Sequence, residues 1–195
     1  RGIRRRSRVA GPVIALLLGE VSAVGPEHAM DIVIRPETPA DRAAIWDITK
    51  RAFAPMPYAG GNEQDLIDRL RDAGALEISL VADSKGRVVG HAAFSPAFAA
   101  DGSPGWYALG PISVEPDLQR SGIGKALIAE GERLLRERDA AGCVLVGNPA
   151  YYSRFGFRPF PDLAPPGEPA AYFQILPLRV SNPDTVIGFH RLFYG

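Results

Sequence analysis

Residues 112–127 read ISVEPDLQRSGIGKAL and carry the most informative pattern in the chain. An apolar strand pattern ends at Val114, and a loop leads to a helix pattern that starts near Gly122. Glycines in such a loop let the backbone approach a ligand closely and expose successive N–H groups. The helix start adds a partial positive charge, and Arg120 and Lys125 add full charges. The stretch therefore predicts a site for a phosphate or pyrophosphate group.

Two familiar nucleotide motifs do not fit this spacing. A P-loop needs Gly-x-x-x-x-Gly-Lys-Ser/Thr, which the stretch lacks. A dinucleotide fingerprint needs Gly-x-Gly-x-x-Gly directly after a strand. Here Gly122 lies well beyond Val114, and Leu127 occupies the position of the third glycine. The plainer alternative is a glycine-rich turn that only starts a helix.

Hydrophobic periodicity predicts the elements around this stretch. The clearest is a long helix over 122–138, followed by a fully apolar strand over 142–147. Strands are also expected at 32–34, 77–82, 87–95, 106–114, 171–178 and 185–192, and helices at 38–54, from Asn62, and at 149–155. This order predicts an α+β or mixed α/β domain.

Composition places the chain among ordinary globular proteins. Its 195 residues are 46% hydrophobic and 23% charged, which excludes a disordered, collagenous or coiled-coil chain. Residues 30–195 carry 17 basic and 20 acidic side chains, net −3, which argues against nucleic-acid and anionic-membrane partners.

The single cysteine, Cys143, excludes an intramolecular disulfide and a cysteine-rich zinc site. It favours a reducing, cytoplasmic compartment. The three histidines are scattered, so we expect no metal site.

The first 29 residues differ from the rest. They carry five arginines and two glutamates, net +3, ahead of a short apolar run at 13–18. This is the outline of a secretory signal peptide, but Met30 opens a natural start to the first strand. We favour a non-native, mis-started or dispensable leader over 1–29, ahead of a true signal or an ordered extra element. We expect one domain over 30–195.

The motifs resemble a known family. Val114-x-Pro116 followed by Gln119-Arg120-x-Gly122-x-Gly124 is similar to the acetyl-CoA motif of the GNAT superfamily of N-acetyltransferases. Residues 148–157, NPAYYSRFGF, resemble the Asn…Tyr-x-x-x-Gly-Phe ending of the same superfamily. This ten-residue sequence is most similar to the corresponding segment of the YhbS-like acetyltransferases. The resemblance implies a GNAT fold: a mixed, mostly antiparallel sheet of six to seven strands, flanked by about four helices, with splayed central strands.

The resemblance also implies site residues. The backbone of Ile112, Ser113 and Val114 would pair with the pantetheine arm, and the N–H near Ile112 would polarise the thioester carbonyl. Asn148 would hydrogen-bond the cofactor near the pantetheine. The pyrophosphate would be wrapped, mainly by backbone N–H groups, by Gln119, Arg120, Ser121, Gly122, Ile123, Gly124, Lys125 and Ala126.

Two side chains are implied in the chemistry. The hydroxyl of Tyr152 would act as general acid to, or hydrogen-bond, the leaving thiolate, with Tyr151 as the alternative. Some relatives carry a base four residues before the position of Ile112, but Ala108 stands there in this chain. Glu63 is our candidate base or amine-binding carboxylate, and an exposed residue in a first helical turn is the plainer interpretation.

The function implied is an acetyl-CoA-dependent N-acetyltransferase acting by direct attack in a ternary complex. The acceptor would be a small-molecule or protein amine, and a homodimer is the default assembly. One alternative is a non-catalytic acyl-CoA-binding regulatory module on the same fold. Another is an enzyme acting on aminoacyl-tRNA. The net negative charge of residues 30–195 argues against it.

Overall fold

A mixed seven-stranded sheet forms the centre of the molecule, and a computed structural model describes residues 31–57 and 59–195. The strands lie in the order β1-β2-β3-β5-β6-β8-β7, and a separate pair joins β4 and β9. The predicted leader, 1–29, lies outside the described residues. None of the helices within the described ranges is long and apolar enough to cross a bilayer.

The elements follow the predicted order closely. The strands are β1 (Ile32–Pro36), β2 (Ile78–Ser84), β3 (Arg87–Pro96), β4 (Phe98–Ala99), β5 (Trp106–Val114), β6 (Gly142–Val146), β7 (Arg158–Pro159), β8 (Phe173–Pro177) and β9 (Ile187–Gly188). The helices are α1 (Arg42–Phe53), α2 (Glu63–Asp72), α3 (Ile123–Glu137) and α4 (Pro149–Tyr152).

The helices cover opposite faces of the sheet. On β2, Val81 packs with Ile45 of α1 and Ile67 of α2. Its neighbour Leu80 belongs to the cluster that contains Leu127 of α3. Because successive strand residues point to opposite faces, α1 and α2 lie on one face and α3 lies on the other.

The central strands β5 and β6 run parallel but separate. Their pairing covers only Trp106–Ala108 of β5 against Gly142–Val144 of β6. β6 continues to pair with β8 as far as Val146, whereas the remainder of β5 pairs with β3 alone. The splayed central strands implied by the family resemblance are therefore present.

A β-bulge explains where the strands separate. Gly110 and Pro111 of β5 stand opposite the single residue Ala93 of β3. A bulge bends the strand that carries the extra residue, and proline has no N–H to donate to a ladder. β5 therefore turns away from β6 just beyond Ala108.

The prediction for the carboxy-terminal region was partly wrong. The strand expected at 185–192 is only Ile187–Gly188, and Arg191–Tyr194 is a 3-10 helix. The helix expected at 149–155 is α4 followed by a 3-10 turn. Phe189 and Phe193 pack against the core cluster that contains Phe173. Their apolar spacing reflects this packing and not a long strand.

Candidate functional site

The open edge of β5 presents backbone groups to the gap between the strands. Glu115, directly after β5, donates its N–H to the carbonyl of Val89 on β3 at 3.0 Å. N–H groups alternate in direction along an extended strand. The N–H groups of Val114 and Ile112 consequently point away from β3, toward the gap.

The backbone N–H of Ser113 has the same direction as that of Glu115 and faces β3, not the gap. The Ser113 hydroxyl is buried and lies 3.1 Å from the hydroxyl of Thr49 on α1. This contact fixes α1 onto β5 on the face opposite α3. The side chain therefore has a structural role.

The loop from β5 to α3 is held in a shape that exposes N–H groups. The Gln119 amide donates to the carbonyl of Val114 at 3.3 Å, and the Ser121 hydroxyl donates to the carbonyl of Leu118 at 2.6 Å. Arg120 and Gly122 both adopt left-handed backbone conformations, with φ of 67° and 92°. For a non-glycine residue this conformation costs about 1–2 kcal/mol, and such strain clusters at functional sites.

The start of α3 faces outward beside this loop. The first bond that continues into the helix runs from the N–H of Ala126 to the carbonyl of Gly122 at 3.0 Å. The N–H groups of Ile123, Gly124 and Lys125 precede it and have no acceptor within the helix. Gly122 and Lys125 are exposed, and a Cβ on Gly122 would meet nothing within 4 Å. An anion can therefore approach these donors.

The other side of the gap carries Asn148 and Tyr152. The Oδ1 atom of Asn148 accepts the N–H of Ala150 at 3.0 Å and starts α4. Tyr152 is fully buried, with its ring 4.9 Å from that of Tyr151 and 5.8 Å from that of Phe157. It belongs to the same buried cluster as Ile112. Tyr151 lies beside it, and burial raises the pKa of the Tyr151 phenol to about 12.

Cys143 lies in the part of β6 that pairs with β5, opposite Tyr107, and its thiol is unreactive. The thiol is fully buried, and burial raises its pKa far above the usual range. A thiol held protonated is a poor nucleophile. The residue serves as a small apolar group, as the apolar run around it predicts.

Glu63 is buried, which makes the interpretation of an exposed first-turn residue wrong. Only 4% of Glu63 is exposed. Its carboxylate accepts the N–H of Gly60 at 2.6 Å and that of Gly61 at 3.1 Å. Asn62, where the second helix is predicted to begin, precedes α2 without a capping hydrogen bond. Glu63 instead orders the loop between α1 and α2.

A buried polar network under α1 and α2 escaped the sequence analysis. The Ser79 hydroxyl donates to Glu37 and accepts from Nε2 of His91 at 2.8 Å. Burial raises the pKa of Glu37, but hydrogen bonds from Arg71, His91 and Ser79 outweigh it and hold the value well below its usual range. Burial lowers the pKa of His91. These residues come from separate elements, so no local pattern marks them.

Two further buried polar side chains were missed. Gln174 on β8 is fully buried, and its amide donates to the carbonyl of Gly147 at 2.8 Å, at the end of β6. Glu168 is 8% exposed in the loop before β8. Both belong to stretches that read as ordinary loop or strand, so neither carries a sequence signal.

The class of protein follows from the separated strands, the donor-rich loop and the start of α3. Residues 42–157 match the acetyltransferase (GNAT) family, and the chain belongs to this family of acetyltransferases.

Individual relatives agree with this assignment. The chain is 35% identical over 127 residues to Uncharacterized N-acetyltransferase YhbS of Escherichia coli K12, covering 65% of this chain and 73% of that protein. It is also similar to a GNAT acetyltransferase from Brucella melitensis solved in complex with acetyl-CoA. That match has 43% identity and a TM-score of 0.74, covering 84% of this chain and 99% of that one. The structure of Escherichia coli YhbS with CoA matches at 29% identity and a TM-score of 0.76, over 87% of this chain and 96% of that one.

Proposed function

We propose that the protein transfers an acetyl group from acetyl-CoA to a primary amine by direct attack within a ternary complex. One observation carries this proposal. Backbone pairing between β5 and β6 ends at Ala108 and Val144, and the open edge of β5 runs directly into the loop at the start of α3 that we assign to an anion. A long ligand with an anionic end and a flexible arm suits this arrangement.

The residues at the gap fit the cofactor. The pyrophosphate is assigned to the N–H groups between Arg120 and Lys125, where the helix start favours negative charge. The pantetheine arm is assigned to the backbone of Ile112 and Val114, with the NH2 group of Asn148 as a side-chain donor. Bound acetyl-CoA supplies an acetyl group activated as a thioester.

Two groups are assigned to the chemistry of the thioester. The N–H of Ile112 points to the gap, and we assign it to the thioester carbonyl, which it would polarise. Removal of such a donor costs several kcal/mol where it has been measured. The hydroxyl of Tyr152 is assigned to the sulfur, where it protonates the departing thiolate. Burial of Tyr152 excludes water from this position.

A non-catalytic acyl-CoA-binding module is the second candidate, because Ala108 occupies the position of the base that some relatives use. The two functions differ in one experiment. Acetyl-CoA and a panel of primary amines are incubated with the protein, and release of free thiol and formation of acetylated amine are measured together. Stoichiometric appearance of both supports transfer. Tight binding of acetyl-CoA with no thiol release on any amine would establish the module instead.

A further inference from the structure

Glu168 is a buried carboxylate that lies in the loop between β7 and β8 (residues 160–172, the β7–β8 loop). Only 8% of it is exposed, and within residues 31–57 and 59–195 neither carboxylate oxygen has a partner at ordinary hydrogen-bond distance and geometry. The Tyr194 hydroxyl is the polar side-chain group that approaches it. Burying a carboxylate is costly unless it is paired. A side chain kept in this state therefore suggests a partner that arrives with a ligand.

The β7–β8 loop is anchored at the end of the sheet where the central strands separate. Phe160 donates its N–H to the carbonyl of Phe173 at 3.2 Å, which closes the base of the loop. The carbonyl of Tyr172 accepts the N–H of Gly147 at 2.9 Å, directly after β6. Glu168 thus belongs to a loop whose two ends are tied to the edge of the gap.

The loop also meets the carboxy-terminal 3-10 helix (Arg191–Tyr194). Tyr194 of the carboxy-terminal 3-10 helix approaches Glu168. The adjacent Phe193 belongs to the cluster that contains Val146 and Leu66 of α2. α2 lies on the face opposite α3 and its anion-binding start. Glu168 consequently lies with elements on the face away from the loop assigned to the pyrophosphate.

The electrostatic surroundings of Glu168 leave room for a cation. Burial raises its pKa to about 7, and the neighbouring Tyr194 hydroxyl acts in the opposite direction. Within the described residues no positively charged side chain forms an ion pair with Glu168. Arg69 donates to the carbonyl of Leu192, and in the part of the chain that the structure describes His190 and Arg191 form no ion pair with Glu168.

We propose that Glu168 is the carboxylate that receives the amine of the acceptor and takes a proton from it. This rests on the proposed function. An alkylammonium group has a pKa near 10 and must lose a proton before its nitrogen can attack. A base that titrates near neutral pH is suited to that task. Glu63 is less suited, because both of its oxygens already accept backbone N–H groups.

The protons balance over one turnover. The ammonium gives one proton to the carboxylate of Glu168, and the freed lone pair forms the nitrogen–carbon bond. The carbon–sulfur bond breaks, and the hydroxyl of Tyr152 protonates the sulfur. The second proton of the nitrogen passes through solvent to the Tyr152 oxygen, and Glu168 releases its proton to solvent.

The test compares Glu168→Gln with the wild-type protein on an amine that the wild type acetylates. We expect Glu168→Gln to lower kcat/KM for the amine by about 100-fold or more, with acetyl-CoA affinity unchanged. In the wild type kcat/KM falls as the pH drops through about 7, because protonated Glu168 accepts no proton. In the variant this fall in kcat/KM at low pH, the acid limb of the pH profile, disappears. Asp162→Asn, an exposed change in the same loop, is the matched control and retains activity.

A second variant keeps the proposal testable if Glu168→Gln does not fold. Tyr194→Phe removes the hydroxyl that favours ionised Glu168, so the acid limb should move to higher pH. A purely structural role would not move it. The proposal is wrong if Glu168→Gln keeps both the wild-type kcat/KM and the acid limb. If the wild type binds acetyl-CoA but acetylates no amine, the proposed function fails, and this inference fails with it.

Discussion

Gly122 offers the sharpest test of the anion-binding loop. Its φ is 92°, and a Cβ built there would meet nothing within 4 Å. Replacing it by alanine in Gly122→Ala therefore creates no clash inside the protein. The new methyl group would instead occupy open space in front of the N–H groups assigned to the pyrophosphate.

The cost to folding can be separated from the cost to binding. A left-handed conformation costs an L-residue about 1–2 kcal/mol, so Gly122→Ala should lower the free energy of unfolding by that amount. Gly74→Ala is a matched control. Gly74 also has positive φ, 66°, and open space at its Cβ, but it lies after α2, away from the loop. Both variants should lose the same stability in urea unfolding.

Only the loop variant should lose affinity for acetyl-CoA. A hydrogen bond to a charged group contributes about 1.5–3 kcal/mol. Loss of one such bond to the pyrophosphate corresponds to a rise in Kd of roughly 10- to 100-fold, measured by titration calorimetry. The reasoning is refuted if Gly122→Ala binds acetyl-CoA as tightly as Gly74→Ala while both are equally destabilised.

Three further substitutions test the site and its support. Tyr152→Phe keeps the buried ring but removes the proton donor, so kcat should fall by about 100-fold or more with acetyl-CoA affinity intact; Tyr151→Phe is the control, and equal kcat values in the two variants would contradict the assignment. Cys143→Ala should leave kcat unchanged, and the wild-type thiol should resist thiol reagents until the protein unfolds; a large loss of kcat would mean that the thiol takes part in transfer. Gly131→Ala would bring a Cβ within 2.1 Å of Cζ of Phe94. We expect it to lower the free energy of unfolding by at least about 1 kcal/mol, because overpacking outweighs the gain in helix propensity; a stabilised variant would show that Phe94 moves aside freely.

The sequence predicted the parts of the fold that depend on local pattern. The apolar periodicity of Ile123, Leu127 and Leu134 marked α3, and the fully apolar run around Cys143 marked β6. The motif at the end of β5 predicted the glycine-rich start of α3. These signals were sufficient because the residues that produce them are neighbours in the chain.

The features that the sequence did not predict depend on distant contacts. Glu63 reads as a first-turn acid, and its burial follows from the way it orders the Gly60–Gly61 turn. Glu168 stands in a proline-rich loop, and in the fold it is buried and approached by Tyr194, which is distant in the chain. The apolar spacing near Phe189 suggested a strand, but the strand ends at Gly188 and Arg191–Tyr194 is a 3-10 helix. Phe189 and Phe193 pack on the core.

The most direct test of the central claim is a crystal structure of the protein with acetyl-CoA. The account predicts the pantetheine arm between β5 and β6, within hydrogen-bond distance of the backbone of Ile112 and Val114. It also predicts the pyrophosphate against the N–H groups that precede Ala126, and the sulfur beside the hydroxyl of Tyr152. Acetyl-CoA bound elsewhere, with the gap between β5 and β6 left empty, would contradict the account.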